Sequence, residues 1–299
     1  MSAPIGVIGL GRVGGGIVAR LAGRGRTLVV HDVRSAAMRA AAERHGTAVE
    51  TAGSPAEVAR RAGVVIVAVL DAEQVDDVLT GPAGLLGESR PGLVVAVMST
   101  VAVDALRRWG SLAAVGDVRL IDCGITPGSK ASTGEMVVMV GGDPADVATS
   151  RPVLDELAKL VIHCGPLGAG MTLKLARNVI TYGAWRAVHE AASLVVASGL
   201  PVSLLTDVVA AADPGGDTLL RLVRTWPQAA PDETWQRLAD DLETLTVKDL
   251  GAALELGETL GVALPLARVA RDQAASTSHR GARSSDKRFV DKPIDPSVG

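Results

Sequence analysis

The sequence contains few of the residues that commonly build metal sites, disulfides or aromatic cores. Its 299 residues include two cysteines, Cys123 and Cys164, five histidines, and 2% aromatic residues with one Phe and one Tyr. No metal or redox spacing links the cysteines to each other or to a histidine cluster. We therefore expect two small apolar thiols in a reducing compartment and no bound metal. Leu, Val and Ala must fill the hydrophobic cores.

The sequence also lacks a large charge excess and a long apolar segment. Charged residues make up 21% of the chain and the net charge is −3, so no basic face is available for nucleic acid or an anionic membrane. The longest apolar runs, such as residues 64–70, are far shorter than the roughly 20 residues that span a bilayer. The first residues show no secretory signal pattern. We expect a cytoplasmic protein whose partner is a small-molecule substrate.

What the N-terminal half does contain is an alternation of β-branched runs and helical segments. After residue 170 the strand pattern stops, and residues 171–198 predict one helix about 42 Å long, followed by two or three shorter helices. This order predicts an α/β fold: an N-terminal Rossmann-type doubly wound sheet of about eight strands, and an all-α C-terminal domain joined to it by the long interdomain helix. The strands are predicted at residues 5–9, 27–31, 64–69, 93–98, 119–123, 135–140 and 161–164.

The length is sufficient for two domains, each with its own core. We expect a Rossmann domain over residues 1–165 and a helical substrate and dimerisation domain over residues 166–276. Residues 277–299 are rich in Ser, Arg, Lys, Asp and Pro and predict a flexible tail. An apolar helical domain buries its surface readily against a second copy, so we expect a homodimer or homotetramer.

A glycine-rich motif follows the first predicted strand directly and opens a helix. In this pattern the first glycine permits a tight turn, the second lets the backbone approach a pyrophosphate, and the third lets the helix pack on the strand. An acidic residue, Asp32, ends the second predicted strand, where it can accept hydrogen bonds from a ribose. Together these features predict a dinucleotide site. The motif residues are Gly9, Leu10, Gly11, Arg12, Val13 and Gly14.

The residues around Asp32 bear on which dinucleotide is bound. A carboxylate at this place favours NAD because it would repel the 2′-phosphate of NADP. Arg34 is the counter-argument, since a guanidinium could bind that phosphate. We interpret Arg34 as a solvated charge at the start of a helix. NAD is then the preferred cofactor, and NADP is the less favoured one.

Polar residues also follow two central strands, at the edge where doubly wound sheets bind ligands. Leu70 comes after the strand at residues 64–69, and Ser99 and Thr100 come after the strand at residues 93–98. The two hydroxyls could cap the next helix or contact a ligand at this edge.

Four segments in the same order resemble the β-hydroxyacid dehydrogenase family, the group of 3-hydroxyisobutyrate dehydrogenase and tartronate semialdehyde reductase. The likeness extends from residue 3 to about residue 270. Its segments are IGVIGLGRVGGGIVARL at the N-terminus, VLDAEQVDDVL with MSTVAVDALR, DCGITPG at residues 122–128, and GPLGAGMTLKLARN at residues 165–178 with a later Lys248-Asp249-Leu250.

The resemblance implies a role for each matching position. Lys174 corresponds to the catalytic lysine and Asn178 to the amide beside it. Thr126 and Gly128 correspond to substrate-binding positions, and we add Ser99 as a further candidate substrate contact. The positions that line the cofactor near its nicotinamide are Leu70, Thr100 and Lys248.

The chemistry of alcohol oxidation calls for such groups as well. While hydride moves to the nicotinamide, a base must take the hydroxyl proton, and the same group protonates the alkoxide in reduction. A lysine serves if burial and a neighbouring cation lower its pKa, and Lys248 is the cation that we expect.

Departures from the family pattern bear on the substrate. This chain has Thr126-Pro127-Gly128 where the family usually has Ser-Gly-Gly, and Gly124 where it has proline. Asp241 stands where many relatives carry a bulky aromatic residue. We hypothesise a substrate more polar or differently charged than hydroxyisobutyrate. Two alternatives remain open, an imine reductase on the same scaffold and a dinucleotide-binding interaction module without turnover.

Overall fold

A computed structural model describes residues 3–87, 92–216 and 233–278. The chain forms two compact units, Met1–Val179 and Ile180–Gly299. The domain limits expected at residues 165 and 276 remain predictions. From residue 279 onward the expected tail lies outside the described residues, and its first two residues belong to the last described helix. No helix in the described ranges is long and apolar enough to cross a membrane.

The first unit is built on one eight-stranded sheet with the order β3-β2-β1-β4-β5-β6-β7-β8. All neighbouring pairs are parallel except β6 and β7, which are antiparallel. The predicted doubly wound sheet is confirmed. The strands are β1 (Ile5–Ile8), β2 (Leu28–His31), β3 (Val49–Thr51), β4 (Val64–Val67), β5 (Val94–Val97), β6 (Arg119–Thr126), β7 (Met136–Gly141) and β8 (Ala158–Gly165).

Strand β3 is the strand whose position the sequence did not predict. It has three residues and lies at the sheet edge, and only Val49 of the three is buried. Such a short edge strand carries too few apolar residues to produce a readable alternation. The central strands β1, β4 and β5 are buried along their whole length, as continuous β-branched runs predict.

Helices cover both faces of the sheet. One core cluster contains residues of α1 and α6, and the other contains residues of α3, α4 and α5, including the fully buried Trp109. The predicted cap of α3 is present, because Ser54 Oγ accepts a hydrogen bond from Glu57 N at 3.2 Å. The helices are α1 (Arg12–Gly23), α2 (Ser35–His45), α3 (Pro55–Arg61), α4 (Ala72–Thr80), α5 (Val103–Val115), α6 (Pro144–Leu157) and α7 (Ala169–Ala197).

The long helix α7 confirms the predicted helix at residues 171–198 and begins two residues earlier. After it, the described residues of the second unit contain four helices rather than two or three. Residues 261–264 and Gln273 separate the last two helices from the helices before them, and the sequence pattern did not reveal these breaks. These helices are α8 (Val202–Ala212), α9 (Glu233–Leu260), α10 (Pro265–Asp272) and α11 (Ala274–Ser278).

A buried carboxylate joins two helices of the second unit. Glu190 of α7 is 4% exposed and accepts hydrogen bonds from the backbone amides of Leu266 and Ala267, in the first turn of α10. Arg186 donates to it from one turn earlier in α7 at 2.8 Å. A negative charge at the start of a helix is favourable, so Glu190 fixes α10 against α7.

Candidate active site

The glycine-rich turn between β1 and α1 has the geometry that a phosphate-binding turn requires. Gly9 has φ +89°, and a Cβ on it would lie 2.6 Å from the carbonyl oxygen of Ala68. A Cβ on Gly14 would overlap the carbonyl oxygen of Gly9, so this glycine lets helix and turn pack together. Gly11 faces open space. The geometry of Gly9 and Gly14 agrees with the turn and packing roles that the motif predicts, and the approach of a pyrophosphate to Gly11 remains a prediction.

The N-terminus of α1 has no side-chain cap and no acidic residue in its first turn. By contrast, α3, α4 and α6 are capped by Ser54, Asp71 and Asp143 respectively. The positive end of α1 thus remains available to an anion at the carboxyl edge of the sheet. Together with the glycine turn, this end of α1 fits the pyrophosphate of a dinucleotide.

Asp32 follows β2 and is 6% exposed. Its carboxylate accepts hydrogen bonds from the backbone amides of Leu10 at 2.7 Å and Arg34 at 2.8 Å. The Arg34 guanidinium donates Nε and Nη2 to the two carboxylate oxygens, at 2.9 and 3.0 Å. Burial raises the pKa of Asp32, but the hydrogen bonds from Arg34 and Leu10 outweigh it and lower the pKa to about 2. Arg34 is therefore an ion-pair partner rather than only a solvated charge.

The strand ends beside this loop carry the other predicted residues of the edge. Ser99 is 4% exposed, and its hydroxyl donates to Val69 O at 2.8 Å and accepts from Val69 N at 3.0 Å. The hydroxyl thereby ties the end of β5 to the end of β4. Leu70 and Thr100 are exposed at the same edge. The substrate contact expected of Ser99 remains a prediction beside this backbone role.

Lys174 lies in the second turn of α7 and is 9% exposed. Burial lowers its pKa, and the positive charge of Arg177 lowers it further. The sequence had suggested Lys248 as the neighbouring cation and had missed Arg177. Spacing alone could have indicated Arg177, because residues three apart on a helix are neighbours.

Asn178 is half-buried on the same helix, four residues after Lys174. Its side-chain oxygen accepts a hydrogen bond of 3.4 Å from Arg177. A spacing of four residues places the amine and the amide on one face. The predicted pair is therefore on one helix face, and its catalytic role remains to be tested.

The segment after β6 brings the predicted substrate residues next to the dinucleotide loop. Thr126 is the half-buried last residue of β6, and its peptide bond to Pro127 is cis. Gly128 starts a short 3₁₀ turn, and a Cβ on it would lie 3.0 Å from Val13 Cγ2. Since β6 runs parallel to β5, Thr126 also lies at the carboxyl edge of the sheet.

Lys248 belongs to α9 in the second unit. Its side chain is 69% exposed, and its amine lies 3.3 Å from a carboxylate oxygen of Asp249. Asp241, seven residues earlier on the same helix, is also exposed. The cofactor contact expected of Lys248 remains a prediction. In the part of the chain that the structure describes, no cluster of His, Cys, Asp or Glu could hold a metal.

The chain as a whole is similar to several known proteins. An uncharacterized oxidoreductase of Mycobacterium tuberculosis is 34% identical over 275 residues, covering 91% of this chain and 92% of the relative. The L-threonate dehydrogenase of Escherichia coli is 30% identical over 292 residues, covering 96% and 93%. The structure of M. tuberculosis 3-hydroxyisobutyrate dehydrogenase with L-serine matches with a TM-score of 0.65 and 28% identity, covering 94% and 96%.

A more distant solved structure shares the fold alone. The imine reductase of Myxococcus stipitatus matches with a TM-score of 0.79 at 20% identity, over 94% of this chain and 96% of that one. Two family models together match nearly the whole chain. The model for the NAD binding domain of 6-phosphogluconate dehydrogenase matches residues 4–168, and the model described as NAD-binding of NADP-dependent 3-hydroxyisobutyrate dehydrogenase matches residues 168–293. The chain therefore belongs to the β-hydroxyacid dehydrogenase family, as a 3-hydroxyisobutyrate dehydrogenase-like oxidoreductase with an NAD(P)-binding domain.

Proposed function

We propose that this enzyme transfers hydride between NAD and a small β-hydroxy acid or its semialdehyde, with Lys174 as the general acid and base. The observation that carries the proposal is the environment of Lys174. Lys174 is 9% exposed, and burial together with the positive charge of Arg177 lowers the pKa of its amine. A lysine whose pKa approaches the working pH can both accept and donate a proton efficiently.

In this proposal, different residues of the first unit bind the cofactor and transfer the proton. The turn at residues 9–14 and the N-terminus of α1 hold the pyrophosphate, and Asp32 receives the ribose hydroxyls. When bound, the nicotinamide supplies or accepts the hydride. In oxidation, neutral Lys174 takes the proton of the substrate hydroxyl. In reduction, charged Lys174 protonates the developing alkoxide.

Three further residues orient the substrate in this proposal. The Asn178 amide holds the substrate oxygen or the lysine amine in line for proton transfer. The Thr126 hydroxyl and the Gly128 backbone amide bind a carboxylate. Gly128 lies against Val13 of the glycine motif, because a Cβ on it would be 3.0 Å from Val13 Cγ2. A bound carboxylate thereby lies beside the cofactor loop, which is the arrangement that a hydroxy acid requires.

NAD is the cofactor that we propose, and NADP is the alternative. The low pKa of Asp32, about 2, keeps its carboxylate charged at neutral pH, and a charged carboxylate disfavours a 2′-phosphate. Arg34 is the feature that favours NADP, because its side chain is 61% exposed and pairs directly with that carboxylate. Lys248 and Thr100 are proposed to line the nicotinamide end, with Leu70.

We infer a substrate more polar than hydroxyisobutyrate. The supporting features are the departures at Thr126-Pro127-Gly128 and at Asp241, which replaces an aromatic residue with a charged one. Proline offers no backbone amide at its position, so one donor of the usual carboxylate site is missing. One of the relatives is named L-threonate dehydrogenase, and L-threonate is a polar hydroxy acid, which agrees with a polar substrate for this enzyme.

Two other functions that the sequence allows are less well supported. Imine reductases share the fold, but they usually carry another proton donor where this chain retains Lys174. An interaction module without turnover would need neither a buried Lys174 nor an adjacent Asn178. The cytoplasmic location remains a prediction from the sequence.

The second unit supports our proposal of a homodimer or homotetramer. Beyond Val179, helix α7 exposes large apolar side chains on several sides, and Tyr182 and Trp185 pack their rings together with centroids 5.4 Å apart. Apolar patches of this kind mark protein interfaces. The exposed apolar residues of α7 and α8 include Val179, Tyr182, Trp185, Val188, Val196, Leu204, Val208 and Val209.

The experiment that tests the catalytic proposal is a turnover screen with a matched variant. Purified enzyme is assayed with NAD and NADP against small hydroxy acids, semialdehydes and cyclic imines. We expect oxidation of a polar β-hydroxy acid with NAD. We expect Lys174→Ala to bind NADH as the wild type does while kcat falls by about 10²- to 10⁴-fold. A variant that keeps more than about a tenth of kcat would contradict the role of Lys174.

A further inference from the structure

The first turn of α7 is capped by a residue of a neighbouring strand rather than by its own side chains. Gly168 precedes the helix and offers no side-chain oxygen, and the first turn contains no acidic residue. Instead, Asp122 of β6 accepts a hydrogen bond on one carboxylate oxygen from Gly168 N, at 2.5 Å, and on the other from Met171 N. Met171 N is an amide that an N-cap side chain would normally satisfy, and Gly168 N is the amide that the third helical residue of a capping box would satisfy.

Asp122 is fully buried, at 0% exposure. Burial raises the pKa of its carboxyl, and the amides of Gly168 and Met171 counteract that rise. The charge lies at the positive end of a 29-residue helix, where a carboxylate is favourable. Because each oxygen has an amide partner, losing either bond would leave a buried donor without an acceptor. The hydrogen bonds therefore fix the rotation and the axial position of the first turn of α7.

Gly124 lies two residues further along β6, on the same face of the strand as Asp122. A Cβ on Gly124 would lie 2.5 Å from the Cβ and 3.2 Å from the Cγ of Lys174, and 2.9 Å from the carbonyl oxygen of Gly170. The stem of Lys174 thus rests directly on the strand where a side chain would otherwise be. The family usually has proline at this position. Here the absence of a side chain at Gly124 allows Lys174 to lie directly against β6.

Thr126 continues the same alternation. Cys123 and Ile125, which point to the other face, belong to the hydrophobic core cluster with α1 and α6. One face of β6 therefore carries, at successive alternate positions, the cap of α7, the support of the lysine stem and the proposed substrate hydroxyl. Three functions that must keep a fixed mutual distance are attached to one rigid strand.

We propose that Asp122 and Gly124 are positioning residues for Lys174: Asp122 sets the orientation of the helix turn, and Gly124 sets the depth of the lysine stem. This inference rests on the proposed catalytic role of Lys174. A displacement of about 1 Å at a reacting group can cost roughly a hundredfold in rate. Neither residue needs to touch substrate or cofactor to have that effect.

The first test is Gly124→Ala, which inserts one methyl group against the lysine stem. We expect kcat to fall by about tenfold to a hundredfold while KM for NAD changes by less than about twofold. A second readout does not depend on turnover: competitive labelling of Lys174 with acetic anhydride at a series of pH values. Displacement of the stem toward water raises the pKa of Lys174, so its labelling midpoint moves to higher pH.

The control is Gly6→Ala in β1, which crowds the core to a similar degree because its Cβ would lie 2.5 Å from Val58 Cγ1. We expect this variant to lower thermal stability without moving the Lys174 labelling midpoint. An equal shift in Gly6→Ala would mean that the effect of Gly124→Ala is a general loss of packing, and it would overturn the inference.

The second test is Asp122→Asn, which keeps the size of the side chain but leaves one oxygen for two amides. We expect the same loss of kcat and the same change in labelling. If this variant does not fold, Gly124→Ala decides the question alone. Wild-type kcat and labelling in Gly124→Ala and in folded Asp122→Asn would overturn the inference even with Lys174→Ala inactive, whereas an active Lys174→Ala would overturn the proposed function itself.

Discussion

The guanidinium of Arg34 lies across the carboxylate of Asp32, with nitrogen–oxygen distances of 2.9 and 3.0 Å. A paired geometry of this kind is directional and favours the charged carboxylate. The pair joins the residue that favours NAD to the residue that would favour NADP. We therefore expect cofactor preference to depend on both residues, and each can be tested separately.

Replacing Asp32 with serine removes the carboxylate that we propose to receive the ribose. We expect KM for NAD to rise more than KM for NADP, because only the unphosphorylated ribose loses its acceptor. Steady-state kinetics with both cofactors measure the ratio. Arg39→Ala, an exposed change on helix α2, which follows Asp32, is the control and should leave the ratio as it is. A ratio unchanged in Asp32→Ser would remove the argument for NAD.

Replacing Arg34 with alanine leaves Asp32 without its ion-pair partner. The carboxylate then repels a 2′-phosphate more strongly, so we expect any residual use of NADP to decline while KM for NAD changes little. Kinetics with each cofactor at equal ionic strength give the result, since exposed charges are screened by salt. Improved use of NADP in this variant would contradict the expectation.

Removing the charge of Arg177 should change the pH dependence of the reaction. Arg177 lowers the pKa of Lys174, so Arg177→Gln raises it. In alcohol oxidation the base must be neutral, and the rising limb of kcat/KM against pH therefore moves to higher pH. In reduction the acid must be charged, so the falling limb also moves to higher pH. Arg107→Gln, an exposed change on α5, serves as the control, and a shift to lower pH in Arg177→Gln would refute the assignment.

Replacing Glu190 with glutamine should destabilise the second unit. The neutral side chain has one oxygen for the amides of Leu266 and Ala267, and an unsatisfied buried donor costs about 1–3 kcal/mol. Urea unfolding at neutral pH measures the loss, and Glu258→Gln, an exposed ion-pair change, should be near neutral.

The effect of Glu190 should also depend on pH. Burial raises its pKa, but the amide and Arg186 hydrogen bonds outweigh burial, and the folded pKa lies below the ordinary value of 4.5. Its stabilisation is therefore present above about pH 4.5 and is lost as the pH falls through the folded pKa. If the difference in unfolding free energy between wild type and Glu190→Gln increased as the pH falls, this account would be contradicted.

The proposed assembly can be tested by placing a charge on α7. Trp185 is 65% exposed, and Trp185→Glu would put a carboxylate into the proposed interface. We expect the wild type to sediment as a dimer or tetramer and the variant to dissociate at micromolar concentration. Val115→Glu, at an exposed position of α5, should keep the assembly. A monomeric wild type would refute the proposal.

Much of the fold could be predicted because its signals are local. Continuous β-branched runs predicted the central strands, the glycine spacing predicted the turn after β1, and the loss of strand pattern after residue 170 predicted α7. Strand β3 was missed because three residues at an edge carry almost no periodicity. The helical spacing of Lys174 and Asn178 is also local information, and it placed both residues on one face of α7, whereas their roles remain predictions.

The sequence by itself determined which residues can carry the chemistry, because a glycine motif, an acid after the second strand and a lysine with its amide are readable in order along the chain. Tertiary structure alone decided what those residues contact. Asp122 caps a helix that starts 47 residues later, Gly124 supports the stem of Lys174, and Ser99 ties β5 to β4. The physical reason is that hydrogen bonds and close packing between distant segments depend on the sheet register, which no local pattern contains.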